Sequence, residues 1–137
     1  MGQTIETSWA KGMAFKAELS GHQLVLDSDP KFGGEGRGPR PKPLLLLSLA
    51  GCTGMDLVSL LNKMRVDFEN IKIIVTAELT DEHPRYYHKI HLTYQIQGND
   101  INKDKVEKAV GLSQDKYCGV SYMLKQAAEI SYDIKFV

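Results

Sequence analysis

The middle of the chain contains two segments in which apolar and polar residues alternate. Residues 71–79 and 88–97 each place apolar side chains at every second position. This period of two predicts two β-strands, each with one buried face. In the first third, three short runs at 5–10, 14–19 and 23–27 predict three more strands, because Lys-Gly and Ser-Gly pairs separate them.

A helical period begins after these first strands. Pro43 suits the first turn of a helix, and residues 44–64 contain a stripe that recurs every three or four positions. Its members are Leu46, Leu49, Thr53, Leu57, Leu60 and Met64. The pattern predicts a helix of roughly 30 Å, whose first turns are apolar on nearly every side.

The last third predicts two shorter helices, at 103–112 and from about Cys118 to Ala127, followed by a strand at 130–137. The element order is then βββ-α-ββ-α-α-β. Segregated helices and antiparallel strands are typical of the α+β class.

Residues 28–43 interrupt this pattern, because they include four prolines and four glycines. Such a segment predicts a loop, acting as a mobile lid or as a linker. We therefore expect one domain over residues 1–137, with N-terminal strands at 1–27, the Gly/Pro-rich loop at 28–43 and a helix-and-sheet core at 44–137.

Composition excludes some classes of function. The chain has 137 residues and no net charge, whereas a general nucleic-acid binder needs a basic surplus. The N-terminus lacks an apolar core of signal-peptide length, and the longest apolar run, 44–50, is far below the roughly 20 residues that span a bilayer. We expect a cytoplasmic protein that binds neither nucleic acid nor membrane.

The two cysteines are the candidate chemistry. Cys52 lies within the long predicted helix, between Gly51 and Gly54, and Cys118 lies at a predicted helix start, where free N–H groups favour an anion. Two cysteines alone do not make a zinc site, so we expect no metal and no cofactor. The alternative is that both are inert core residues, and the sequence alone does not show whether they meet.

A carboxylate and a basic cluster bear on the reactivity of Cys52. Asp56 comes one helical turn after Cys52 and would disfavour its thiolate. Arg37, Arg40 and Lys42 form a basic cluster in the Gly/Pro-rich loop. This cluster is either a solvated part of the loop or the positive charge that Cys52 needs.

Four segments carry a resemblance to a known family. The first is the loop 33–41 with the leucines that follow it, and the second is the Leu-Ala-Gly-Cys-Thr-Gly-Met-Asp stretch at 49–56 with residues 58–61. The third is the Glu-His-Pro-Arg stretch at 82–85, and the fourth lies within residues 105–124 and includes Lys-Tyr-Cys-Gly-Val-Ser at 116–121. Together they resemble the OsmC/Ohr family, and especially its OsmC-like branch, over nearly the whole chain.

This resemblance implies an intertwined homodimer with two sites at the interface. It implies that Cys52 attacks an organic hydroperoxide, that Cys118 resolves the product into a disulfide, and that a dithiol such as a lipoyl protein returns the electrons. Peroxidatic members also carry a Glu just before the long helix and an Arg near the N-terminal hairpin. Here no Glu occurs between Pro39 and Cys52, and no Arg precedes Arg37.

The sequence therefore supports a thiol-dependent redox protein that reduces organic hydroperoxides through Cys52 and Cys118. Because the usual activating Glu and Arg are missing, two alternatives stay open. One is a protein that binds a small apolar ligand at the dimer interface with redox-silent cysteines. The other is a redox sensor that passes a disulfide to a partner.

Overall fold

The computed structural model describes all residues, 1–137. The chain divides into two compact units, Met1–Leu45 and Leu46–Val137, and each is described by itself. The single domain expected from the sequence therefore stays a prediction.

The first unit contains a three-stranded antiparallel sheet. Strands β1 (Thr7–Trp9), β2 (Phe15–Leu19) and β3 (His22–Leu26) lie in the order β1-β2-β3. A two-residue turn, Ser20-Gly21, joins β2 to β3, and both of its residues have positive φ. Such turns match the right-handed twist of the paired strands. The three strands lie within one to three residues of the short runs that predict them.

The Gly/Pro-rich loop that follows is organised around one buried carboxylate. The side chain of Asp27 is fully buried and accepts hydrogen bonds from the backbone N–H groups of Ser28, Glu35 and Arg37 and from the Nε of Arg37, at 2.7–3.2 Å. Gly34 lies so close to the backbone of Ser28 that a Cβ there would collide with its carbonyl group. The loop therefore has a defined conformation, in which its backbone folds around the Asp27 carboxylate.

The hydrogen bonds at Asp27 generate a prediction about acid stability. The backbone N–H of Arg37, followed by the N–H of Ser28 and the Arg37 guanidinium, lowers the pKa of Asp27 from 3.8 to about 2, although burial opposes the shift. A lowered folded-state pKa stabilises the protein above the unfolded value, and this stability is lost as the pH falls through the folded value. We expect the melting temperature to fall between about pH 4 and about pH 2.

The Asp27→Asn variant should melt lower than the wild type at neutral pH and show a weaker dependence on pH in that range. Circular dichroism melts over a pH series measure both effects. Asp29→Asn is the matched control, because Asp29 is half exposed in its ion pair with Arg40 and such pairs contribute little to stability. Equal pH dependence in the wild type and in Asp27→Asn would contradict the assignment.

Helix α1 (Pro43–Lys63) begins in the first unit and continues through the second, within one residue of its predicted bounds. Its fully buried residues are Leu49, Thr53, Leu57 and Leu61, which recur every four positions and define one inward stripe. By length and composition alone, this helix could cross a membrane, with a mean hydropathy of 1.9 over its most apolar window. A single helix of this kind is weak evidence, because core helices of soluble proteins satisfy the same criterion.

The second sheet has the order β4-β5-β6, formed by Asn70–Leu79, Tyr87–Gln97 and Glu129–Phe136. Strands β4 and β5 form the predicted antiparallel pair, but β6 runs parallel to β5. The expectation of antiparallel strands throughout was therefore wrong at this pair. A parallel neighbour requires a long crossover connection, and the helices between β5 and β6 supply it.

That crossover consists of α2 (Lys103–Leu112), a π-helical turn (Ser113–Tyr117) and α3 (Gly119–Lys125). The core of this unit forms where α1 and α2 cover one face of the sheet. Most of its members come from α1, β5 and α2, and Val66 and Cys118 complete it: Leu49, Leu57, Leu61, Val66, Ile90, Leu92, Tyr94, Ile96, Val106, Ala109, Val110 and Cys118. The α+β class and the predicted order of strands and helices are confirmed.

Candidate functional site

Cys52 lies on α1 in a half-buried position. The glycines that flank it have different roles. A Cβ at Gly54 would lie 3.0 Å from Cδ1 of Ile73, so glycine there lets the helix pack closely on β4. A Cβ at Gly51 would meet nothing within 4 Å, and that side of the helix next to Cys52 is open.

Cys118 occupies the N-cap of α3 and is almost completely buried, with 3% of its surface exposed. The π-helical turn positions it, because the Cys118 N–H donates to the carbonyl of Ser113 at 2.8 Å. Its sulfur accepts a hydrogen bond from the backbone N–H of Ser121 at 3.3 Å. The side chain therefore faces inward, away from solvent.

The fold brings the two cysteines together. The sulfur atoms of Cys52 and Cys118 and a carboxylate oxygen of Asp56 all lie within 4.8 Å of one another, and both cysteines are free thiols. A disulfide needs a sulfur–sulfur distance of about 2 Å, so a modest movement of the side chains would join them. The same three atoms are also the donors that could hold a soft divalent metal ion. The expected absence of a metal stays a prediction.

Burial controls the protonation of Cys118. Burial and, after it, the hydrogen bond with Cys52 raise the pKa of Cys118 from 9.0 to about 11, and the Ser121 N–H only partly offsets this. Cys118 is thus a neutral thiol at physiological pH. The helix start was predicted to favour the thiolate of Cys118, but the loss of hydration outweighs the contribution of one short helix.

A buried polar network lies next to Cys118, and it was not predicted from the sequence. It consists of Thr53, Tyr94, Ser113, Gln114 and Ser121, and hydrogen bonds of 2.7–3.3 Å connect them. Burial raises the pKa of Tyr94, so its phenol stays protonated. One signal was available: Thr53 falls within the apolar stripe of α1, and a buried hydroxyl requires a partner.

The second unit has one cavity beside Cys118 and one lined by residues that neighbour Cys52 in the sequence. An open, mainly apolar groove of about 740 Å³ runs between α1 and β4, and its lining includes Ala50, Gly51, Met55 and Ile73. A smaller cavity of about 280 Å³ adjoins Cys118 on the side of the π-helical turn and α3. Lys116 and Lys125 are among its other lining residues.

The basic cluster of the loop lies in the first unit. The Nε of Arg37 pairs with Asp27 and Glu35, and Arg40 pairs with Asp29. Lys42 is exposed. The two arginines are thus held by carboxylates of their own loop, and the predicted role of the cluster beside Cys52 stays a prediction.

The difference between the two thiols generates a prediction about their reactivity. Because the thiolate is the nucleophile, Cys118 should react with iodoacetamide at least about tenfold more slowly than Cys52 near pH 8. Peptide mass spectrometry after timed quenching measures both rates. In denaturant the two rates should become equal, and equal rates in the folded protein would contradict the assignment.

The chain is similar to known proteins over most of its length. The family described as OsmC-like protein matches residues 34–133. Protein YhfA of Escherichia coli (strain K12) is 35% identical over 130 residues, which cover 94% of this chain and 94% of that protein. The crystal structure of a protein from Aquifex aeolicus VF5 superposes with a TM-score of 0.84 at 29% identity, covering 100% of this chain and 98% of that chain.

A more distant match is the crystal structure of a Legionella pneumophila protein described as an organic hydroperoxide resistance protein and predicted redox protein. It superposes with a TM-score of 0.71 at 18% identity, covering 97% of each chain. A likeness at this level of identity shows the fold alone.

Proposed function

The chain belongs to the OsmC-like protein family, and from that premise we propose that it is a thiol peroxidase that reduces organic hydroperoxides through Cys52 and Cys118. The observation that carries the proposal is the closeness of the two free thiols, whose sulfur atoms lie within 4.8 Å of each other. They come from positions far apart in the sequence, and only the fold unites them.

Their environments support different roles for the two cysteines. Cys52 is half-buried and adjoins the open side of α1, so it is the thiol that a substrate can reach. Its sulfur attacks one peroxide oxygen, the O–O bond breaks, and the products are an alcohol and a sulfenic acid on Cys52. Cys118 then condenses with the sulfenic acid to give a disulfide and water. A dithiol returns two electrons and restores both thiols.

The apolar groove supports an organic substrate. Residues on both sides of Cys52 take part in it, because Ala50, Gly51, Met55 and Ile73 line the groove. An alkyl or aryl substituent on the hydroperoxide would bury apolar surface there, which favours binding in proportion to the buried area. Hydrogen peroxide has no such group, so we expect it to be the poorer substrate.

Arg37 is the residue we propose to replace the missing activating arginine. Its guanidinium donates to the carbonyl oxygens of Ala10 and Lys11, at 3.1 and 2.8 Å, in the turn between β1 and β2. The resemblance implies an arginine near this hairpin, and here one reaches it from the loop. Arg40 and Lys42 lie farther along the same loop and are weaker candidates for this role.

The peroxidase proposal predicts activity that depends on Cys52. Purified protein with dithiothreitol and cumene hydroperoxide should consume peroxide, and Cys52→Ser should lower the rate by about a hundredfold or more, because a serine hydroxyl is not ionised at neutral pH. A ferrous-iron dye assay of residual peroxide measures this. Cys118→Ser is the matched control and should still react once per chain in the absence of reductant. Equal turnover by Cys52→Ser and the wild type would refute the proposal.

A second candidate function rests on the size and apolar lining of the same groove. A volume of about 740 Å³ falls within the range of small-molecule sites. On this alternative the protein binds an apolar ligand and its thiols are redox-silent. It would gain support if apolar compounds raised the melting temperature while hydroperoxides left both thiols unmodified.

We also propose that the protein is a homodimer. Leu47, Met55 and Val58 form a stripe on α1 together with Gly51, and the exposed fractions of these three large side chains are 66%, 77% and 39%. An apolar stripe of this length on the longest helix is costly to leave in water. A second copy of α1 laid along this stripe in a two-fold arrangement would cover it. Because Gly51, Met55 and Val58 also line the groove, the substrate would then bind in that groove at the dimer interface.

The dimer proposal predicts a mass of two chains by light scattering after size-exclusion chromatography. Met55→Glu should shift the protein toward the monomer, because a carboxylate in an apolar interface loses its hydration without gaining a partner. Met123→Glu is the matched control, since Met123 is 65% exposed on α3. A monomeric wild type, or a dimeric Met55→Glu, would contradict the proposed interface.

A further inference from the structure

The hydroxyl groups of the buried network form a chain with a single direction. A carboxylate only accepts hydrogen bonds, so Ser113 donates to Oδ2 of Asp56 at 2.9 Å. The single hydroxyl hydrogen of Ser113 is then engaged. In the 3.0 Å hydrogen bond between Thr53 and Ser113, Thr53 is therefore the donor. By the same reasoning Tyr94 donates to Thr53 at 2.7 Å, and the Nε2 of Gln114 donates to Tyr94 at 2.7 Å.

Every hydroxyl in this chain therefore points toward Asp56. The far end is fixed as well, because Ser121 donates to Oε1 of Gln114 at 2.8 Å, which orients that amide. The carboxylate is the terminal acceptor, and one of its oxygens lies within 4.8 Å of both sulfur atoms. The network thus holds an acceptor of protons beside the two thiols.

We propose that Asp56 is the catalytic base that takes the proton from Cys118 when that thiol closes the disulfide onto Cys52. Ser113, Thr53 and Tyr94 are positioning residues that hold the carboxylate in place. The inference deepens the proposed function and rests on it for the identity of the oxidant, but the proton transfer itself can be tested without a hydroperoxide.

The step balances in atoms and electrons. The sulfur of Cys118 attacks the sulfur of the Cys52 sulfenic acid, an S–S bond forms, and the S–O bond breaks with its electron pair on oxygen. Asp56 takes the proton of the Cys118 thiol and passes it to the departing hydroxide, which leaves as water. Asp56 ends the step as the carboxylate that began it.

Two observations explain why a base is needed and why this one can serve. The pKa of Cys118 is about 11 because the thiol is buried, so very little thiolate exists at neutral pH. A carboxylate oxygen of Asp56 lies within 4.8 Å of the Cys118 sulfur. Catalytic hydrogen bonds are often long before the reacting group binds and shorten in the reacting complex, or a single water bridges them.

The first test uses Asp56→Asn, in which the side-chain oxygen still accepts from Ser113 but the base is lost. After one equivalent of cumene hydroperoxide, a dimedone probe should report sulfenic acid on Cys52 at least as fast as in the wild type, because the variant lacks a carboxylate that disfavours the Cys52 thiolate. Disulfide closure should slow by about tenfold or more. Disulfide formation at the wild-type rate would overturn the role of Asp56 and leave the peroxidase proposal standing.

The defect should also depend on pH. It should shrink from about pH 7 to about pH 10, as Cys118 begins to ionise without help. The titratable groups around Cys118 are Cys52 and Asp56 on α1 and Tyr94 on β5. Those that share the small cavity with Cys118 are Asp115, Lys116, Tyr122 and Lys125. A defect of equal size at both ends of this range would point to misfolding and would overturn the assignment.

The second test needs no hydroperoxide. 5,5′-Dithiobis(2-nitrobenzoate) should form a mixed disulfide with Cys52 and release one coloured thiolate, and attack by Cys118 should then release a second. Asp56→Asn should slow only the second release, by about tenfold or more, and Cys118→Ser should abolish it. If the protein consumes no hydroperoxide but Asp56→Asn still slows this phase, the peroxidase proposal fails and the role of Asp56 stands.

The positioning residues have their own matched pair. Thr53→Val keeps the shape of the side chain but removes its hydroxyl, and it should slow the second release. Thr53→Ser keeps the hydroxyl and should restore the rate. Equal rates of the second release in Thr53→Val and Thr53→Ser would show that the network does not contribute to the reaction. Melting temperatures measured alongside identify any variant that fails to fold, and the remaining variant of each pair then decides.

Discussion

The structure around the two thiols depends on one constraint: the hydroxyl and amide groups buried between α1 and β5 must be hydrogen-bonded to one another. Thr53 and Tyr94 have no exposed surface, and an unpaired polar group in such a place costs about 1–3 kcal/mol. Their partners are Ser113 and Gln114, which belong to the turn after α2. The hydroxyl groups of Thr53 on α1 and Tyr94 on β5 need these hydrogen-bond partners, and this requirement fixes the position of the turn.

The π-helical form of the turn follows from the same need. Ser113 and Gln114 are neighbours in sequence, and both side chains are buried and reach the network. A π-helical turn widens the backbone relative to an α-helix and often occurs at functional sites. It also ends on the Cys118 N–H bonded to the Ser113 carbonyl. The network thus determines, through one short turn, that the sulfur of Cys118 faces Asp56 and Cys52.

The sequence predicts the elements well because each has a local signal. Alternation defines β4 and β5, and the four-residue stripe defines α1. The direction of β6 has no such signal, since a strand has the same pattern whichever way it runs. Only the crossover through α2 and α3 makes it parallel to β5. The order of the Gly/Pro-rich loop was not predicted for a similar reason. In the sequence, Asp27 is indistinguishable from any other polar residue before such a segment.

The candidate site was less predictable than the fold. The resemblance assigned Cys52 and Cys118 as a pair, and their roles stay a prediction. Their spacing in sequence, however, could not show that they meet. The network was hidden because Tyr94 fits the apolar face of β5 by alternation, and Ser113 and Gln114 lie in what reads as a break between helices. Each needs a partner from another element, and partners of that kind appear only in three dimensions.

The polar network is difficult to explain by stability alone. Replacing a buried polar cluster with well-packed apolar residues is often neutral or stabilising, and Val, Phe and Ala could fill the positions of Thr53, Tyr94 and Ser113. Apolar residues could not hold a carboxylate beside two thiols, because Asp56 would lose the hydroxyl that satisfies it. A carboxylate so placed also makes thiolate formation at Cys118 less favourable. That would slow a nucleophile that must ionise before it attacks, but not a thiol that gives up its proton to the carboxylate as it attacks. The position of Asp56 is therefore suited to a reaction in which Cys52 reacts first and Cys118 second.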